Sequence, residues 1–196
     1  MIKACKKCRR EGDKLILKGE RCFSAKCAIT RRPYVPGQHG PTQRTKLSEY
    51  GRQLREKQKV KKIFGLSEAD LSKLYKEADR RTGNTAENLV QLIESRLDNL
   101  VYRSGIGESR SNSRQIVSHG HVKLDGRKLS IPSAMVKPGQ KVSFDKTVKI
   151  DTKKAKSSSW LKWDDKTKAC EYLRMPTREE IDLNINENLV VEYYSR

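Results

Sequence analysis

The chain has 196 residues, with 43 Lys and Arg against 24 Asp and Glu, a formal net charge of +19 and a sequence pI near 9.9. Such a field selects a polyanionic partner, nucleic acid first among them. No apolar run approaches the ~20 residues that span a bilayer, and the N-terminus lacks a signal peptide's apolar core. A soluble, cytoplasmic protein with no membrane partner is therefore expected.

The charge is uneven. Residues 1–62 hold 19 basic and 5 acidic side chains, whereas residues 63–196 hold 24 and 19. Hydrophobic residues make up 35% and aromatics 6%, so the cores are small and some segments are expected to order on a partner.

Four of the five cysteines fall in one stretch: Cys5 and Cys8, then Cys22 and Cys27. Two close pairs across a short loop have the spacing of a structural tetrathiolate site. Zinc is the expected metal and an iron–sulfur cluster the lesser alternative, because four thiolates suit both. Cys170 lies far from the others and reads as a core residue. Residues 28–47, with Pro36-Gly37 at a turn, form an irregular basic arm placing Arg31, Arg32, Arg44 and Lys46 on phosphates.

A helix over 49–63 is predicted, capped by Ser48 and closed by Gly65. It carries Arg52, Arg55, Lys57, Lys59, Lys61 and Lys62 against only Glu49 and Glu56, and so reads as phosphate-facing. Ser67 and Asp70 form a capping box before the apolar stripe Leu71, Leu74, Tyr75 and Ala78, and Gly83 ends that helix. One further helix is expected over 86–103, on the spacing of Leu89, Leu92, Ile93, Leu97, Leu100 and Val101.

From Ser109 to Gly120 a short capped helix is expected, then a hairpin of 122–124 and 127–129 about Asp125-Gly126, and a strand at 141–144. Arg103, Arg110, Arg114, His119 and His121 cluster at the junctions of these elements. Residues 151–160 read as a loop, Thr177 and Glu180 as a helix start, and Leu189, Val190, Tyr193 and Tyr194 as a buried helical face.

The fold class is thus α+β, in three parts. Residues 1–47 are a metal-stapled N-terminal region with a basic arm. Residues 48–94 form a helical domain completed by 175–196. Residues 95–174 are an inserted RNA-binding module with antiparallel strands, plus a loop. RNA recognition by shape and phosphate contact is expected. Gln38, His39, Asn99, Gln115 and His119 are candidates for hydrogen bonds to riboses or bases, or for local structural ones. Tyr50 and Tyr102 are candidates for base stacking or core packing.

No enzyme is expected. His39, His119 and His121 form no nucleophile–base pattern, and neither a phosphate-cradling Gly-rich loop nor a dinucleotide fingerprint is present. No small-molecule substrate is expected either. A zinc-ribbon nucleic-acid-binding regulator is the alternative from another class.

The runs Ser95-Arg96-Leu97-Asp98-Asn99-Leu100-Val101-Tyr102-Arg103, Ser113-Arg114-Gln115-Ile116-Val117-Ser118-His119-Gly120-His121-Val122 and Asp125-Gly126-Arg127 closely resemble the RNA-binding module of the small-subunit ribosomal protein four family. Arg9-Arg10-Glu11-Gly12, Pro36-Gly37-Gln38-His39-Gly40, Leu54-Arg55-Glu56-Lys57-Gln58-Lys59 and Tyr194-Ser195-Arg196 extend the resemblance over the chain. The candidate RNA-binding set therefore also takes in Arg9, Arg10, Lys18, Gln58, Arg96, Ser113 and Arg127.

The resemblance implies early binding of small-subunit ribosomal RNA at a multi-helix junction of its 5′ domain. It also implies a place near the mRNA entry channel beside ribosomal proteins three and five, with an influence on decoding accuracy. In some bacteria it implies repression of the protein's own operon. A role in unwinding incoming mRNA is assigned to the segment holding Arg44 and Lys46.

Overall fold

The computed structural model describes residues 4–42, 46–145, 158–164 and 166–196. Its helices are α1 (Ala4–Glu11), α2 (Ala28–Arg31), α3 (Glu49–Phe64), α4 (Glu68–Asp79), α5 (Thr85–Glu94), α6 (Leu97–Arg103), α7 (Arg110–Ser118) and α8 (Glu187–Tyr194). The strands are β1 (Val122–Leu124), β2 (Arg127–Lys128), β3 (Lys141–Phe144), β4 (Leu161–Asp164) and β5 (Ala169–Tyr172), and 3-10 turns cover Gly19–Cys22 and Arg178–Glu180. The chain divides into two compact units, Met1–Tyr75 with Asn184–Arg196, and Lys76–Leu183. Among the described residues no helix is long and apolar enough to cross a membrane.

In the first unit, α3 is fixed at both ends by the residues its sequence offers. Ser48 Oγ accepts from Gly51 N–H at 3.2 Å, and Gly65 closes the helix in the left-handed region at φ 64°. Val60, Ile63 and Phe64 are its buried apolar residues. Helix α8 packs along α3, with Val190 fully buried and Gln53 Nε2 donating to Glu192 at 2.9 Å. Tyr75 stacks on Tyr194 at 4.9 Å between ring centres and shares a 3.1 Å hydrogen bond with Ser195.

The N-terminal region differs from expectation. Residues 28–31 form the short helix α2, packed on α1, before the irregular arm begins. The metal staple is corrected as well. Cys5, Cys8, Cys22 and Cys27 are free thiols lining one small pocket with Ala4, Leu17, Lys18, Arg21, Ala28 and Ile29. Burial pushes the Cys8 pKa up, whereas at Cys27 hydrogen bonds from Ile29 and Thr30 outweigh burial and lower it, so the four thiols are not tuned alike. Among the described residues no group of three or more His, Cys, Asp or Glu side chains is placed to hold a metal ion. Neither zinc nor an iron–sulfur cluster is retained; Cys8, Cys22 and Cys27 are buried as small apolar groups.

In the second unit α6 and α7 pack together beside a five-stranded antiparallel sheet of order β2-β1-β3-β5-β4. The core gathers Leu97, Leu100, Val101, Val117, Val122, Val142, Trp160 and Tyr172, the last two meeting edge to face at 5.7 Å. The hairpin lies where alternation placed it, with Asp125 (φ 48°) and Gly126 (φ 83°) both left-handed in its turn. Cys170 is buried in β5, as expected of a core residue.

The helix expected over 86–103 is two helices. Arg96 is extended (φ −69°, ψ 143°) and bridges to Met135, while Ser95 Oγ turns back onto Gln91 O at 2.7 Å. The N–H groups of Leu97 and Asp98 donate to the carbonyls of Ala134 and Pro132, at 2.8 and 3.1 Å. A distant loop therefore supplies the acceptors that an unbroken helix would have found within itself. Strands β4 and β5 lie where no strand was expected. Of the predicted loop, 151–157 lies outside the described residues, and Trp160 is buried. The helix start at Thr177 is a single 3-10 turn with its capping box formed by Glu180.

Candidate nucleic-acid interface

The structure sorts the cations of the basic half into two populations. Arg10, Lys18, Arg31, Arg32, Lys46 and Arg52 are exposed, as are Gln38 and His39; Arg44 lies outside the described residues. Arg9 is turned inward and pins the arm to α1. Its Nε donates to Tyr34 O at 2.9 Å and its guanidinium lies 4.7 Å from the Tyr34 ring centre. Gly40 is needed where the arm doubles back, because a Cβ there would sit 1.9 Å from Val35 O.

Helix α3 is not the phosphate-facing rod its charge suggests. Lys57 and Lys59 are only 5% and 6% exposed. Lys57 Nζ reaches Glu68 at 2.9 Å and lies 3.9 Å from the Tyr193 ring centre. Lys59 reaches Asp13 at 2.6 Å, and Lys61 reaches Glu68 at 2.8 Å. Arg55 and Lys62 converge on Glu11, whose side chain is buried. Partial burial works against ionisation of Glu68, but hydrogen bonds from Lys61, Lys57 and Tyr194 hold its pKa down at about 2. Arg52 and half-buried Gln58 remain on the open side of the helix.

In the second unit the matched motif is largely internal. Glu94 is fully buried and is gripped by Arg103, Nε at 3.0 Å and a terminal nitrogen at 2.5 Å, and by Asn99. Asn99 in turn accepts from Arg110 Nε at 3.0 Å, and Arg110 lies 4.4 Å from the centre of the Tyr102 ring. Arg96 makes two hydrogen bonds to Asp98, at 3.2 and 3.0 Å, with Arg114 3.4 Å away on the same carboxylate. Burial opposes the charge of Arg103, yet Glu94 more than offsets it and raises the pKa; for Arg110 burial prevails and lowers it. Ser113 is also buried, directly beneath Gly107, where a Cβ would meet Ser113 Oγ at 2.0 Å.

Of the candidate RNA-binding residues, Asn99, Arg103 and Arg110 thus join α5, α6 and α7 through Glu94, Arg96 is engaged with Asp98, and Ser113 is buried. What α7 shows to solvent is Ser111, Arg114, Gln115 and Ser118, followed by exposed His119 and half-buried His121. The hairpin adds exposed Arg127 and Lys128. These side chains offer phosphates charge and bidentate donors on a scaffold rigidified from within. Tyr102 packs against Arg110, while Tyr50 is half exposed with the Arg196 guanidinium 5.6 Å from its ring centre. Phe23, absent from the sequence-predicted set, is 73% exposed between exposed Arg21 and Lys26. An aromatic residue in a basic, turn-forming stretch was the available signal.

Residues 2–94 match the family model of the ribosomal protein S4/S9 N-terminal domain, and residues 95–142 match that of the S4 domain. The chain is 47% identical over 203 residues to small ribosomal subunit protein uS4 of Ruminiclostridium cellulolyticum, covering 98% of this chain and 97% of that one. It is 47% identical over 201 residues to the protein of the same name from Natranaerobius thermophilus, covering 98% and 96%. The corresponding protein of Caldicellulosiruptor bescii is 48% identical over 201 residues, at the same coverage. With both family models and nearly full-length relatives in agreement, the chain belongs to the uS4 family of small ribosomal subunit proteins.

Proposed function

We propose that this chain is a structural, non-enzymatic constituent of the small ribosomal subunit, acting in the cytoplasm. It binds small-subunit ribosomal RNA and nucleates assembly at a multi-helix junction of the 5′ domain. The observation that carries the reading is the division of cations. Internal partners occupy Lys57, Lys59, Arg96 and Arg103, while Arg10, Arg31, Arg32, Arg52 and Arg127 stay accessible. Accessible cations on each unit can grip RNA phosphates, with Gln38, His39, Gln115 and His119 adding hydrogen bonds.

The finer proposals follow from the family. The chain lies beside ribosomal proteins three and five near the mRNA entry site, contributes to decoding accuracy, and represses its own translation. Lys46, exposed before α3, and Arg44 contact incoming mRNA.

The test is a salt titration of binding to the 5′ domain of small-subunit ribosomal RNA, against a scrambled RNA of equal length. Specific binding with a steep salt dependence is expected. Equal affinity for both RNAs would overturn the reading.

A further inference from the structure

Resting on that RNA-binding reading, we infer that Phe23 is a stacking platform for one unpaired base of the bound RNA. Its ring has the highest exposure, 73%, of the large hydrophobic side chains among the described residues. A ring left in water is informative when the backbone that carries it is fixed, and here it is. The Phe23 N–H donates to Glu20 O at 3.0 Å, closing the turn Gly19–Cys22. Ser24 Oγ donates to Arg21 O at 3.0 Å and accepts from Lys26 N–H at 3.3 Å, and Cys27 N–H donates to Ser24 O at 3.0 Å. Buried Cys22 and Cys27 anchor the two feet of this crown.

The surroundings identify the occupant. Exposed Lys18, Arg21 and Lys26 flank the ring in the chain, against a single nearby acid, Glu20. No other exposed large hydrophobic side chain falls within residues 4–42. A protein partner would call for contiguous apolar area. A lone exposed ring in a cation-rich stretch suits a nucleotide, whose base stacks on the ring while its phosphates meet the charges. Bases within A-form helices are hidden, so the occupant comes from a loop, bulge or junction.

The test compares the full chain with Phe23→Ala, Phe23→Leu and Phe23→Trp in salt titrations against the 5′-domain RNA, with thermal melts on each. The melts are expected to coincide, since the ring is exposed. Phe23→Ala and Phe23→Leu should each weaken binding on the order of tenfold, without altering the salt slope. Phe23→Trp should keep the affinity, and its emission should be quenched by RNA. Full affinity in Phe23→Ala overturns the inference. Full affinity in Phe23→Leu reduces the contact to simple apolar burial and overturns stacking. If the wild-type chain fails to distinguish the native from the scrambled RNA, the RNA reading falls and takes this inference with it. Specific wild-type binding with an indifferent Phe23→Ala overturns this inference alone.

Discussion

Arg103 closes on Glu94 with two nitrogens, at 3.0 and 2.5 Å, joining the last residue of α5 to the last residue of α6. The carboxylate is wholly buried, and Asn99 and Arg110 extend the network towards α7. Charges withdrawn from water in this way cost desolvation and hold only while every partner is in place. The family motif therefore serves as an internal brace.

Removing one partner strands the others. Glu94→Gln should destabilise the chain by about 3–5 kcal/mol, read as a lower urea midpoint, because Arg103 keeps its charge with no counter-ion. The exposed Arg114→Ala should cost about 1 kcal/mol or less while weakening RNA binding. Equal destabilisation by the two variants would refute the brace.

The two populations of cations in the first unit should separate in a single pair of measurements. Arg52→Ala should leave the melting temperature unchanged and lower the salt slope of RNA binding by about one. Lys57→Ala should do the reverse, since Lys57 is buried against Glu68 and the Tyr193 ring. A salt slope that responds to Lys57 and ignores Arg52 would contradict the assignment.

Glu68 gives the first unit an acid limit. Its pKa in the folded chain is about 2, against an ordinary 4.5. A depressed carboxylate contributes stability in full above its unfolded value, and that contribution fades as pH falls towards the folded one. The loss should therefore run from about pH 4.5 down to about 2. Glu68 is 47% exposed, so the effect should be about 1 kcal/mol or less. Melting curves of wild type and Glu68→Gln should converge across that window, and parallel curves would exclude the linkage.

Gly40→Ala tests the doubled-back arm. With Val35 O only 1.9 Å from the new Cβ, and backbone rather than a pliable side chain in the way, the segment has to open. Faster protease cleavage within residues 35–42 is the expected sign, with the melting of the second unit unchanged.

The sequence made the local features legible, because each is written within a few residues. The Ser48 and Ser67 caps, the Gly65 terminus and the Asp125-Gly126 turn all lie where pattern placed them. The break at Arg96 was hidden, since its acceptors come from Pro132 and Ala134. Strands β4 and β5 were hidden because four alternating residues mean little until a neighbouring strand pairs with them. The fate of the α3 lysines depended on acids as remote as Asp13 and Glu68, so counting charge along the helix could not assign them. Cysteine spacing suggested a ligand set, whereas among the described residues no group of three or more His, Cys, Asp or Glu side chains is placed to hold a metal ion.

Helix α8 has a consequence for synthesis. It packs on α3 and supplies Glu192, Tyr193, Tyr194 and Ser195 to the neighbourhood of Gln53, Lys57, Glu68 and Tyr75. Yet Asn184–Arg196 is translated after every residue of the second unit. The usual vectorial order, in which the N-terminal body folds first, is thereby inverted. The apolar flank of α3 therefore stays uncovered until residues 184–196 have been made. A ribosome that stalls before them releases a chain with one finished unit and one open unit, a ready substrate for quality control.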